Sequence, residues 1–206
     1  MILEIRLSNF FSIKDEVVLD MQAASIQTKK AKELEENTFV CGDERLLKTV
    51  AIYGANAAGK SNLLKALKTM RRIILESNTR GDKLDLQSFL LHTDSIDKPS
   101  EFEITFVFEE IRYQYGFTAT NELIMEEWLI AYPKGRPQNW FARAYDDIKK
   151  EYQWQFGDKL IGQKQIWKES KETLHNLDHL EKLIMLNVLD SNIIVMILIQ
   201  SNSKSR

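Results

Sequence analysis

The sequence predicts an α/β fold: a mixed sheet around one strand-to-helix corner, an antiparallel β layer beside it and the start of a helical arm. Three observations lead there. An apolar run ends at Gly54 and passes through a glycine-bearing loop into an amphipathic helix. Apolar residues then alternate with polar ones for some fifty residues, from Phe102 to Phe156. Beyond them, from about Lys168 to Leu186, the period returns to the helical one, with Leu174, Leu177, Leu180 or Glu181, and Ile184 along one side.

Taken in order, Leu3, Ile5 and Leu7, then Val17, Leu19 and Met21, alternate with polar neighbours and predict two half-buried strands around the loop from Asn9 to Asp15. Residues 22 to 45 are polar, mixed in charge and without period, and read as a surface excursion. The run from Leu46 to Tyr53 predicts one strand covered on both faces. After Ser61, Leu63, Leu67, Met70 and Ile74 fall at helical spacing, with Lys65, Lys68, Arg71 and Arg72 around them. In the alternating region the Glu109-Glu110 connection lacks the Gly or Asn of a tight hairpin, whereas Pro133 to Pro137 reads as a turn. Ile193 to Ile199 is uniformly apolar, the kind of segment that sticks to other chains if exposed. Two parts are expected, 1–160 as the lobe that contains the strand-to-helix corner and 161–206 as the start of the arm with an irregular tail.

Gly54-Ala55-Asn56-Ala57-Ala58-Gly59-Lys60-Ser61 carries the chemistry, because it fits G-x-x-x-x-G-K-[ST] between a strand and a helix. Two glycines are expected to let the backbone turn tightly, so that successive amides, with the helix dipole behind them, converge on phosphate oxygens. Lys60 would reach the β- and γ-phosphates and the Ser61 hydroxyl would ligate Mg²⁺. The candidate site is therefore Gly54, Ala55, Asn56, Ala57, Ala58, Gly59, Lys60, Ser61 and Asn62, with ATP and Mg²⁺ as its ligands.

The segment from Ile52 to Leu67 resembles the nucleotide loop of the AAA-family ATPases of bacterial abortive-infection and anti-phage systems, in the ABC-type branch with RecF and the SMC proteins. The opening Ile5-x-Leu7-x-Asn9-Phe10-Phe11-Ser12 is similar to their first strand and the loop after it. The resemblance implies an ABC-type ATPase head lobe over roughly residues 1–160. It also implies Asn56 near the γ-phosphate, the Asn9 to Ser12 loop near the nucleotide, and hydrolysis coupled to dimer closure for a defence or DNA-associated effector. Relatives usually carry Lys or Arg where this chain has Phe11, so that loop is expected to act by shape or packing.

The parts that such relatives use for turnover are an apolar strand ending Asp-Glu, a Ser-Gly-rich signature given across a dimer, and a histidine switch. No convincing counterpart is present. Leu186-Asn187-Val188-Leu189-Asp190-Ser191 has the aspartate but Ser191 in place of the glutamate, and its period is that of a helix end. The expectation is a homodimer, or the N-terminal half of a longer ATPase. A nucleotide-trapping module or defunct remnant is the alternative. A small-molecule kinase is a third reading, for which no arginine-bearing lid is evident. A glutamine coupling the nucleotide to the arm would be Gln153, Gln155, Gln163 or Gln165.

Composition bounds the rest. A net charge of -2 over 206 residues gives no global attraction to polyanions, so any contact of nucleic acid with Lys65, Lys68, Arg71, Arg72, Arg80 and Lys83 would be local. One cysteine, Cys41, and no leader-like N-terminus predict a reducing, cytoplasmic setting without membrane association. His175, Asp178 and His179 share one helical turn and read as a solvated face rather than a metal site. Tyr113, Tyr115, Tyr152, Trp154 and Phe156 read as one packed sheet face rather than a base-stacking platform.

Overall fold

The computed structural model describes residues 1–25, 35–56, 58–76, 83–157 and 194–199, the last by backbone alone. Its main body is a seven-stranded antiparallel sheet. β1 (Ile2–Ser8) and β2 (Val17–Asp20) form the expected hairpin, and β6 (Ser100–Phe108), β7 (Ile111–Ala119), β8 (Ile124–Tyr132), β9 (Gln138–Asp146) and β10 (Glu151–Phe156) form the expected meander. The strand order is β10-β9-β8-β7-β6-β1-β2, so β1 docks on β6 and joins hairpin to meander.

Register follows from the alternation. Ile5 lies opposite both Leu19 and Ile104, while Phe102, Ile104 and Phe106 face Phe117, Tyr115 and Tyr113. All of these turn to one buried face, because in a strand a one-residue slip would send the whole apolar set to water. The helix α1 (Lys60–Glu76) lays Leu63, Ala66, Met70 and Ile73 into this core, with Leu67 and Ile74 half-buried at its margin. A short helix, α2 (Thr93–Ile96), precedes β6.

The region before the loop departs from expectation. Within residues 22–45, read as a surface excursion, the chain forms regular structure: a 3₁₀ turn at Glu35–Asn37 leads into a hairpin of β3 (Thr38–Cys41) and β4 (Glu44–Leu47). Gly42 supplies its turn with a φ of 62°. The apolar run from Leu46 is split at Lys48 rather than forming one strand. Before the break the chain pairs with β3, and after it β5 (Thr49–Gly54) pairs in parallel with β11 (Ile194–Ile199). The strand before the candidate loop thus lies in a two-stranded parallel pair, apart from the large sheet among the described residues. Nor is β5 covered on both faces, since Val50 and Ile52 pack against the core while Ala51 and Tyr53 are exposed. The Ile193–Ile199 run, expected to be sticky, has its residues 194–199 engaged in this pairing.

The Glu109-Glu110 connection is a two-residue hairpin after all, with Phe108 opposite Ile111. Both glutamates are left-handed, at φ 48° and 64°. The Pro133 turn forms as expected, with Lys134 at φ 61°. The arm expected from Lys168 to Leu186, the groups at His175, Asp178 and His179, the stretch Leu186 to Ser191, and Gln163, Gln165, Arg80 and Ala57 lie outside the described residues.

Candidate phosphate-binding site

β5 delivers the chain at Gly54 and α1 starts at Lys60, so the five residues between them turn a strand end into a helix start. Within that turn the Ala58 amide donates to the Ala55 carbonyl at 3.3 Å. Gly59 caps the helix: its carbonyl accepts from the Asn62 amide at 2.9 Å and the Leu63 amide at 3.3 Å. Helix geometry leaves the first amides without intrahelical partners, and no described residue accepts from those of Lys60 and Ser61. The first turn carries no acidic residue, so the positive end of the α1 dipole is uncompensated there.

Only one of the two motif glycines is required by the backbone. Gly59 has a φ of 85°, and a Cβ on it would stand 2.9 Å from Ser12 Oγ, so both conformation and space exclude a side chain. Gly54 has no left-handed φ, and a Cβ there would make ordinary contacts, 3.6 Å from Ala58 Cβ and 3.7 Å from Lys60 Cδ. The expectation that both glycines bend the loop is met at Gly59 alone.

The Lys60 ammonium is folded into the loop and donates to the carbonyls of Gly54 at 2.8 Å and Ala55 at 2.5 Å. A cation is therefore held inside the same turn as the helix-start amides. Ser61 is exposed at the second helical position. One hydroxyl together with phosphate oxygens and retained waters is a donor set that suits Mg²⁺, so Ser61 fits the role of its single protein ligand in the loop. Among the described residues no group of three or more His, Cys, Asp or Glu could hold a metal. Asn56 is exposed on the loop.

The Asn9 to Ser12 turn does lie against this loop, through Ser12, whose Oγ accepts from Asn62 Nδ2 at 2.7 Å. Asn9 has a different task. Its Nδ2 donates to the carbonyls of Ser95, Lys98 and Pro99, and its Oδ1 accepts from the Phe89 amide at 3.0 Å. This buried amide ties the β1–β2 turn to residues 89–99. Phe11 packs edge-on against Phe10, and the Lys65 ammonium sits 4.0 Å above its ring. The pattern of the sequence contained no sign of the Lys65–Phe11 contact, since these partners are more than fifty residues apart. Gln153 and Gln155 are exposed on β10. Tyr113 and Tyr115 are core residues, and Tyr152, Trp154 and Phe156 are half-buried on the same face.

The family described as "AAA domain, putative AbiEii toxin, Type IV TA system" matches residues 50–175, from within β5 through the loop, α1 and the meander. The chain belongs to this family. The AAA assignment fits a mixed α/β body with a mostly antiparallel sheet. No curated protein matches the chain. No described helix of this AAA domain is long and apolar enough to cross a membrane.

Proposed function

We propose that this AAA domain binds ATP with Mg²⁺ at Gly54–Asn62 and is an ATPase of the ABC type. Its work would be coupled, as in the RecF and SMC branch, to a toxin, phage-defence or DNA-associated effector. The observation that carries the reading is the Gly59-capped start of α1 with the Lys60 ammonium folded into the same turn. Main-chain amides of the loop and helix start would cradle the phosphate tail, and Lys60 would exchange the carbonyls of Gly54 and Ala55 for β- and γ-phosphate oxygens. The exchange favours the nucleotide because an ammonium bonds a phosphate anion more strongly than a neutral carbonyl. Ser61 would hold Mg²⁺, which neutralises charge building on the phosphates, and Asn56 would face the γ-phosphate. The lobe of residues 1–160 would carry this binding, with a homodimer as the assembly in which turnover occurs.

Titration with a fluorescent ATP analogue tests the site. Lys60→Ala should weaken binding by about two orders of magnitude, as expected for loss of a charge-assisted contact to a polyphosphate. Undiminished affinity would remove the assignment. Phosphate release measured on the same protein separates turnover from trapping: tight Mg²⁺-ATP binding without release makes the domain a nucleotide-sensing module.

A further inference from the structure

We propose that Lys65 is a second phosphate-binding cation of this site and that Phe11 is the residue that positions it. The inference rests on the nucleotide reading above and deepens it. Lys65 follows Asn62 by three residues and Ser61 by four, so the three share one flank of α1. Helical side chains lean toward the N-terminus, which carries the Lys65 stem back over the turn where the phosphate loop ends. There its ammonium rests 4.0 Å from the centre of the Phe11 ring. The next residue along, Ser12, accepts from Asn62 Nδ2 and occupies the space that a Cβ on Gly59 would need.

The ring is held in place by a turn that resists relaxing. Phe11 has a φ of 49° and Asn9 a φ of 50°, and for a bulky aromatic residue the left-handed region is a true outlier. Such strain persists only where surrounding contacts over-determine it, and it gathers at binding sites. Here the Phe11 amide donates to the Gln87 carbonyl at 2.9 Å, Phe10 and Ile13 exchange two backbone bonds of 2.8 Å, and Asn9 is fixed from four sides. The constrained turn presents an aromatic face to a lysine beside the loop. A cation over such a face is restrained without being neutralised. No described carboxylate pairs with Lys65, so its charge remains available to a polyanion in the adjoining loop.

The test is Mg²⁺-ATP affinity of the full chain, with Lys65→Gln, Phe11→Leu, the double variant and Lys68→Gln. Lys68 is an exposed lysine on the same helix and serves as the control for general charge. Lys65→Gln should weaken binding about fivefold to tenfold. Phe11→Leu keeps apolar bulk but loses the π face, and should weaken binding about twofold to threefold. The double variant should be no weaker than Lys65→Gln alone, because Phe11 acts through Lys65. Lys68→Gln should leave affinity unchanged. Wild-type affinity in Lys65→Gln, or equal losses at Lys65 and Lys68, would overturn the inference while the Lys60-dependent reading stands. A wild-type chain that binds no Mg²⁺-ATP would overturn both.

Discussion

Glu127 and Arg143 face one another across β8 and β9 on the buried side of the sheet, 2.5 Å apart, with side chains only 5% and 4% exposed. The contact is one of charge rather than of aligned hydrogen-bond geometry. Glu127 also accepts from the Tyr115 hydroxyl at 2.6 Å, and the Arg143 guanidinium lies over the rings of Tyr152 and Trp154. Two charges withdrawn from water persist only while each keeps its partner, so Glu127→Ala should destabilise the fold by about 3–5 kcal/mol in urea denaturation. Adding Arg143→Met should restore most of that loss, and an additive double variant would show that the pair is not coupled. Nothing in the sequence announced this pair, because alternation assigns positions to faces and not partners to charges. Asn9 shows the same limit: the motif suggested a place near the nucleotide, whereas its partners at Ser95, Lys98 and Pro99 make it an anchor. Gly59 was legible because its left-handed φ is a demand of the loop's own backbone, whereas the closeness of Ser12, from the β1–β2 turn, was not. Gly59→Ala should cost about 1–2 kcal/mol from the left-handed backbone alone, and should weaken nucleotide binding by displacing Ser12.

Among the described residues the elements with a strong period were read correctly, whereas the Glu109-Glu110 connection and the break at Lys48 were not. β6 and β7 were visible as alternating runs, but Glu109-Glu110 offered none of the residues that accept two left-handed positions cheaply. The pairing of nine residues on each strand forces the turn on them. Replacing them by Glu109→Asn and Glu110→Gly should therefore stabilise the domain by about 1 kcal/mol, which for a chain of this size is a rise of about 2–4 °C in Tm. An unchanged or lower Tm would mean that the glutamates adopt the turn without strain. The break at Lys48 was hidden by the opposite problem. Apolar character runs on from Leu46 to Ile52, yet the Lys48 amide donates to the Asn37 carbonyl and its ammonium to the Glu36 carbonyl. Those bonds turn the chain from one sheet to another. β3 was missed because Thr38 to Cys41 is too short to show a period, although Gly42-Asp43 after it carried a hairpin signal.

At the scale of the molecule, a net charge of -2 conceals a separation of sign. The large sheet turns Glu4, Glu101, Glu103 and Glu126 to its outer face, with Arg6 bonded to Glu4 at 2.5 Å, while α1 covers the other face and carries Lys65 and Lys68 to the surface. Alternation made that outer face legible as polar; only the order of the strands shows that acids from β1, β6 and β8 converge there. Burial, with Glu103, Glu16 and Glu126 nearby, holds the Glu101 carboxyl above its ordinary value. The unfolded chain then gives up this proton at lower pH than the folded one, so the folded state binds more protons in between. Stability contributed by the protonated form is lost as pH rises from the ordinary carboxylate range through the raised folded value. Glu101→Gln removes that penalty, and should raise Tm at pH 7 by an amount worth less than about 1 kcal/mol, since solvent screens a group this exposed. At pH 3.5, where the wild-type carboxyl is protonated in the fold, the gain should disappear. Melting curves of both proteins at the two pH values decide the matter. An equal rise at both would assign the effect to packing, and a fall at pH 7 would mean that Glu101 is favourably paired on this face.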